Sequence, residues 1–152
     1  MTQKKYSRNI QTVIDILRNE VSGDTRSALK KMTSDYTMTW VYETQDGSLF
    51  PKTAISKDVD LNDTYVTKGR KYEIIHIAEA KNIVIVELIE SYPDPETKKV
   101  YRTPLVLVLE MKNGKIKTGR HYCDPRLSYR YLTSVQTKKA FEGKEKPLLV
   151  IE

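Results

Sequence analysis

Residues 101–125 read YRTPLVLVLEMKNGKIKTGRHYCDP, and this stretch decides the fold. Asn113-Gly114 lies near its centre, and this dipeptide favours the positive φ angles of a tight hairpin turn. The run Leu105–Leu109 is entirely apolar, which indicates a strand covered on both faces. The strand after the turn is mostly polar and carries His121 near its end. An apolar strand beside a polar strand with a histidine predicts the wall of a pocket.

The composition is that of a moderately basic, single-domain chain. It has 152 residues, and 26 Lys and Arg against 20 Asp and Glu give a net charge of +6. The single cysteine excludes an internal disulfide and is typical of a reducing compartment. The longest apolar run is far shorter than the ~20 residues of a membrane helix, and the first residues do not resemble a secretion signal. We therefore expect a cytoplasmic protein with no membrane partner.

The positive charges are spread along the sequence. They are densest at Lys98-Lys99-Arg102 and Lys138-Lys139. We interpret them as ordinary surface charge, because exposed aromatic residues are not interleaved with them in a nucleic-acid-binding motif. Nucleic-acid binding is thus the least favoured of the functions considered.

Helices come first and strands follow. An apolar stripe at Ile10, Val13, Ile14 and Leu17 predicts a helix, with a second short helix at about 24–32. Residues 35–42 then alternate with period two, and two hairpins follow at 72–92 and 101–124. The region 49–62 resists assignment. This order predicts an α+β domain over 1–136 and a charged tail over 137–152 that ends in an edge-strand candidate.

Two strands are apolar on both faces, at 83–86 and 105–109. The predicted helices can cover only one face of the sheet. The other face needs a cover, and a second copy of the same sheet would supply one. We therefore predict a homodimer through the outer face of the sheet.

The segment VLEMKNGKIKTGRHYCDP resembles the terminal strands of the SnoaL-like branch of the NTF2-like superfamily. The matching features are the turn at 113–116 and the run at 120–124, while residues 34–42 and 84–92 resemble the first and central strands. The resemblance implies a cone-shaped α+β barrel, in which the N-terminal helices pack inside a strongly curved, mainly antiparallel sheet of five or six strands. Ketosteroid isomerases, limonene-epoxide hydrolase, polyketide cyclases and members without known activity share this fold, so the fold alone does not settle the function.

The resemblance also indicates catalytic residues. His121 lies where relatives keep a cavity-facing acid, and a neutral imidazole can serve as general acid or base near pH 7. On the central strand, Glu90 would face the cavity and Glu87 the outside, although a one-residue slip would reverse this. Leu88 occupies the place of the arginine that the epoxide hydrolases need, which argues against epoxide hydrolysis. Glu90 could instead orient His121 as an acid–base pair, or simply be solvated.

A larger set of residues is expected to line the cavity. The alternation of the strands and the resemblance together predict Tyr36, Met38, Trp40, Leu88, Tyr101, Thr103, Leu105, Leu107 and Cys123. A packed core wall is the alternative interpretation of the aromatic strand. Two histidines and one cysteine form no convincing zinc site, so no metal or cofactor is predicted. His76, between apolar neighbours, is interpreted as structural.

Two functions remain open. In the first, the cavity binds a small hydrophobic molecule, and His121 takes part in proton transfer of the isomerase or cyclase type. In the second, the same fold is a non-catalytic ligand-binding or protein-interaction module.

Overall fold

Two helices open the chain, α1 (Arg8–Ser22) and α2 (Thr25–Lys30). The computed structural model describes residues 6–53, 68–128, 130–142 and 146–152, so the unassigned region 49–62 lies partly outside the described residues. Ser7 caps α1, since its hydroxyl accepts a hydrogen bond from the Ile10 amide at 3.2 Å. Gly23 ends α1 in the left-handed conformation at φ 74°.

The strands form one mixed sheet. They are β1 (Met32–Trp40), β2 (Lys52–Thr53), β3 (Lys71–Ala80), β4 (Ile83–Pro93), β5 (Val100–Lys112), β6 (Lys115–Tyr122) and β7 (Leu149–Ile151). The described part of the sheet has seven strands in the order β2-β1-β6-β5-β4-β3-β7, and β1 and β6 are its parallel pair. The α+β class is confirmed. The strand count exceeds the predicted five or six because the short strands β2 and β7 extend the two edges.

Local turn chemistry forms the central hairpins. Asn113 and Gly114, between β5 and β6, adopt φ angles of 53° and 76°, as a tight hairpin turn requires. Between β3 and β4 the turn at residues 81–82 has one residue with positive φ, Lys81 at 56°. Along β5, every second residue from Thr103 to Met111 is buried, while the residues between them are half-buried. One face of the sheet is therefore the core face.

The core lies between α1 and the concave face of the sheet. Apolar residues of α1, among them Val13 and Leu17, belong to the same buried cluster as Val84, Val86 and other core-facing sheet residues. The Thr12 hydroxyl donates a hydrogen bond to the Gly114 carbonyl at 3.1 Å, which fixes α1 across the β5–β6 turn. No helix among the described residues is long and apolar enough to cross a membrane.

The chain after β6 returns to the sheet. Two short helices, α3 (Pro125–Ser128) and α4 (Ser134–Lys138), are followed by a 3-10 turn at Lys139–Phe141. A capping box of Thr133 and Gln136 begins α4. This helix spans residue 136, where we placed the end of the domain. Strand β7 then pairs with β3 of its own sheet.

Candidate functional site

A cavity of about 310 Å³ lies between α1 and the concave face of the sheet. Its walls are mainly apolar. The apolar and aromatic lining residues include Val13, Ile16 and Leu17 of α1, Met32, Tyr36, Met38 and Trp40 of β1, Leu105, Leu107 and Leu109 of β5, and Ile116 of β6. The volume is in the range of small-molecule sites, and the lining fits a largely apolar ligand.

Four polar residues meet in the wall of this cavity: Glu20, Arg70, Tyr72 and Glu90, which we call the carboxylate cluster. The Tyr72 hydroxyl donates a hydrogen bond to Glu20 Oε2 at 2.6 Å. Arg70 Nη1 donates a hydrogen bond to Tyr72 Oη at 3.1 Å and lies 3.4 Å from Glu90 Oε1. Two carboxyl groups therefore share one tyrosine and one arginine.

The environment of the carboxylate cluster favours holding a proton. Burial raises the pKa of Glu20 to about 7, against the Tyr72 hydrogen bond and the Arg70 charge, which both lower it. Burial also raises the pKa of Glu90, again opposed by Arg70. Because one guanidinium faces two carboxyl groups, the pair titrates as a unit, and one of the two can stay protonated near neutral pH.

The positions of these residues follow from local geometry. Val13, Leu17 and Glu20 lie at i, i+4 and i+7 and share one face of α1. Tyr72 and Glu90 are directly paired between β3 and β4, so both side chains point to the concave face. Of the four residues in the carboxylate cluster, Glu90 was predicted from the sequence and its three partners were not. The sequence feature that could have pointed to Glu20 is its position on the apolar stripe of α1, where a charged residue is unexpected.

A second polar feature lies on the β1–β6 side of the cavity. The parallel pairing places Trp40 beside His121, with ring centroids 6.3 Å apart. His121 Nδ1 is buried and has no hydrogen-bond partner among the described residues. Burial lowers the pKa of His121 to about 4, so the imidazole is neutral at pH 7. A base this weak is poorly matched to proton transfer near neutral pH, but the ring can still hydrogen-bond a ligand.

The expected pairing of Glu90 with His121 is not formed. Glu90 contacts Arg70 and Tyr72 instead. The strand phase does have Glu90 inside and Glu87 outside, where Glu87 Oε2 lies 2.6 Å from His76 Nδ1.

The predicted lining residues fall into two groups. Tyr36, Met38, Trp40, Leu105 and Leu107 line the cavity, together with Glu90 and His121. The structure does not place the other four, Leu88, Tyr101, Thr103 and Cys123, in that lining.

Each of those four residues has a structural reason to be elsewhere. Leu88 and Thr103 are buried within the packing of the sheet, at 0% and 5% exposed. The Tyr101 hydroxyl lies 3.1 Å from Asp94 Oδ2 and 3.0 Å from Tyr131 Oη, so it anchors the chain that follows α3. Cys123 packs against the core, and burial raises the pKa of its thiol to about 11.

Metal ligands do not cluster in the described part of the chain, where no group of three or more His, Cys, Asp or Glu residues could hold an ion. The polar groups that line the cavity are carboxyl, guanidinium, phenol and imidazole groups.

The sequence matches no protein-family model and no curated protein. Several solved structures are similar to this chain. An LEH-like epoxide hydrolase of M. tuberculosis is 17% identical with a TM-score of 0.64, covering 90% of this chain and 96% of that one. IdmH of Streptomyces antibioticus, a candidate polyketide cyclase, is 9% identical with a TM-score of 0.66, covering 82% and 98%. An NTF2-like protein of unknown function from Cytophaga hutchinsonii is 15% identical with a TM-score of 0.58, covering 82% and 96%.

These likenesses define the class of fold. The chain has the α+β fold of the NTF2-like superfamily, as the resemblance of its terminal strands implied. The similar structures are described as an LEH-like epoxide hydrolase, a candidate isomerase and a candidate polyketide cyclase, so the shared fold does not choose among reactions.

Proposed function

We propose that this protein binds a small, largely apolar carbonyl compound in its cavity and transfers a proton on it. The observation that carries the proposal is the carboxylate cluster, in which Glu20 has a pKa of about 7 in an apolar pocket. Titratable pairs whose environments support one acid and one base are typical of acid–base sites. The acid–base role that the sequence assigned to His121 thus passes to Glu20 and Glu90.

The two carboxyl groups take different roles in this proposal. Glu90, 3.4 Å from Arg70, is the ionised group and removes a proton from the carbon next to the carbonyl. Protonated Glu20 donates a hydrogen bond to the carbonyl oxygen, where negative charge develops. Where the substrate is a β,γ-unsaturated ketone, the intermediate is a dienolate, and Glu90 then returns the proton to its γ carbon. One C–H bond breaks, one forms and the double bond moves, so the reaction is an isomerisation.

The shape of the cavity supports a ligand with a polar group at each end. Glu90 pairs with Thr103 and His121 pairs with Leu107, on opposite sides of β5. Four residues along a strand span about 13 Å, and the two neighbours of one strand are about 10 Å apart. His121 therefore lies well away from the carboxylate cluster, across an apolar wall. His121 lines the cavity there, and its imidazole ring can hydrogen-bond a second hydroxyl or carbonyl oxygen of the ligand.

The test is hydrogen exchange on a panel of bicyclic ketones in D₂O, followed by NMR. The wild-type protein should exchange the hydrogens next to the carbonyl of any ketone that it binds. Glu90→Gln should slow this exchange by about 10²–10⁴-fold without abolishing binding. His121→Phe is the matched control, and it should weaken binding of ketones with a second oxygen while leaving exchange in the bound state nearly unchanged.

Two results would contradict the proposal. Bound ketones that never exchange would leave only the non-catalytic binding module. Unchanged exchange in Glu90→Gln would remove Glu90 as the base.

Arg70 favours a second candidate, the hydrolysis of an epoxide. Leu88 stands where the resemblance expects an arginine, but Arg70, the residue just before β3, brings a guanidinium to Glu90. The similarity of the fold to that of an LEH-like epoxide hydrolase also supports epoxide hydrolysis as the second candidate. Here Glu90 would take a proton from water, the water oxygen would bond to an epoxide carbon, and Glu20 would protonate the departing oxygen. Incorporation of one ¹⁸O from labelled water into a diol would support this reaction; unreacted epoxides that bind would count against it.

A further inference from the structure

A second concavity lies on the opposite side of the sheet, between its outer face and α4. We call it the outer pocket. It has a volume of about 260 Å³, and its polar lining includes Lys71, Ser91, Arg102, Ser134, Thr137 and Lys138. It shares none of its lining residues with the inner cavity.

Strand register brings two cations to this pocket. Lys71 of β3 is paired with Ser91 of β4, and Ser91 is paired with Arg102 of β5. Directly paired residues have Cβ atoms about 5 Å apart on the same face of the sheet, so Lys71 and Arg102 stand on either side of Ser91, about 10 Å apart. Ser91 is only 6% exposed although it lies on the outer face. The Ser91 hydroxyl therefore lies at the bottom of the pocket, between the Lys71 ammonium group and the Arg102 guanidinium group.

The return of the chain after β6 supplies the third cation. Arg102 Nη1 donates a hydrogen bond to the Leu132 carbonyl at 3.0 Å, which fixes the segment leading to α4. Thr137 is 2% exposed, so α4 packs firmly, and the next residue, Lys138, lines the pocket. The residues of α4 that line the pocket are polar, namely Ser134, Thr137 and Lys138, although the neighbouring part of the outer face is apolar.

The charges at the outer pocket are not balanced. The pocket lining contains three cationic side chains, Lys71, Arg102 and Lys138, and one carboxylate, that of Glu73. Glu152 lies 3.8 Å from Lys71, but its side chain is 75% exposed and can turn into solvent. Holding like charges around one concavity costs free energy unless an anion joins them.

We propose that the outer pocket binds a phosphate group, either free phosphate or the phosphate of a small phosphomonoester. A guanidinium offers paired donors that match phosphate oxygens, ammonium groups add point charges, and Ser91 and Ser134 add hydroxyl groups. The Thr137 hydroxyl is not among these donors, because it donates its hydrogen bond to the Thr133 carbonyl at 2.9 Å. The volume exceeds that of a phosphate ion, so a small organic group fits beside it. The site does not depend on the function of the inner cavity.

The test is isothermal titration of the full chain with inorganic phosphate and with glycerol phosphate, at constant ionic strength set by chloride. Both should bind with one site per chain, and a tighter glycerol phosphate would identify the ester as the better ligand. Lys138→Gln should weaken binding about tenfold, the effect of losing one charge-assisted hydrogen bond. Lys71→Gln should act similarly. The Lys138 side chain is exposed and that of Lys71 is partly exposed, so neither change should unfold the chain.

Lys139→Gln is the matched control, because Lys139 is the exposed neighbour of Lys138 and is outside the pocket lining. It should change affinity less than twofold. If Lys138→Gln and Lys139→Gln weakened phosphate binding equally, the effect would be one of general surface charge, and the proposal would be overturned. Binding of neither phosphate above the chloride background would overturn it as well.

Discussion

Glu20 links the ionisation of the inner cavity to the stability of the fold. Its folded pKa of about 7 lies above the ordinary value of 4.5, so at intermediate pH the folded state binds more protons than the unfolded state. Stability from this group is fully present below pH 4.5 and is lost as the pH rises through about 7. Burial of Glu90 acts in the same direction.

Replacing Glu20 by Gln should therefore flatten the pH dependence of stability. At pH 8 we expect Glu20→Gln to be more stable than the wild type by about 2–3 kcal/mol, and at pH 4 to be close to it. Urea unfolding at pH 4, 6 and 8 measures this. Glu96→Gln, on an exposed turn, is the control and should follow the wild type. A wild-type protein whose stability rises steadily from pH 5 to pH 8 would contradict the assignment.

The residues of the carboxylate cluster could be predicted only in part from the sequence. Glu90 could be placed inside because strand alternation fixes the side on which a residue points. Glu20, Arg70 and Tyr72 could not be joined to it, since their meeting depends on how α1 crosses the sheet and on the register of β3 with β4. The pKa of His121 likewise depends on burial, which residue type does not reveal.

At the scale of elements, β1 and β6 approach each other closely through Gly119. This glycine is paired with Met38, and a Cβ added to it would lie 2.7 Å from Met38 Cε and 3.2 Å from Leu109 Cδ2. The missing side chain therefore makes room for Met38, which lines the inner cavity. A flexible methionine can move aside, and the free space next to it is the cavity.

We expect Gly119→Ala to push Met38 into the cavity. Ketone affinity should fall by about fivefold or more, while stability changes by less than about 1 kcal/mol, because alanine suits a strand at least as well as glycine. Titration and urea unfolding of the same sample separate the two effects. Adding Met38→Ala should restore binding, and a double variant as weak as Gly119→Ala would show that Met38 is not the cause.

The elements themselves were predicted unevenly, and chain distance explains the difference. The hairpins β3–β4 and β5–β6 are encoded by turn residues such as Asn113-Gly114 and by alternation. The parallel pairing of β1 with β6 joins strands that are far apart in the chain, so no turn sequence predicts it. Only the family resemblance implied that the sheet curves into a cone. Strand β2 is too short to produce a pattern, and α4 was obscured by the charged sequence around it.

At the scale of the whole molecule, the outer face of the sheet keeps an apolar patch beyond α4. Ile85 is 44% exposed and is paired with half-buried Val108, while Val106 is paired with Tyr122, which is 40% exposed. We propose that two copies associate through this patch, with a twofold axis that makes it complementary to itself.

Ile85→Lys should convert such a dimer to a monomer, because a desolvated ammonium group on each copy would face an apolar surface. Light scattering at micromolar concentration should give twice the mass of one chain for the wild type and one mass for the variant. Leu49→Lys is the control, since Leu49 is 65% exposed in the turn between β1 and β2. A monomeric wild type would contradict the proposal.

The seam between β1 and β6 has a consequence for the order of folding. Trp40 and His121 are paired across about 80 residues of chain, whereas the neighbouring hairpins close over short turns. Closing so long a loop costs about 3 kcal/mol more entropy than closing a tight turn. The hairpins should therefore form first and the seam last, so that the cavity stays open on one side until folding is nearly complete. A ligand that touches both Trp40 and the opposite wall would then slow unfolding without speeding folding.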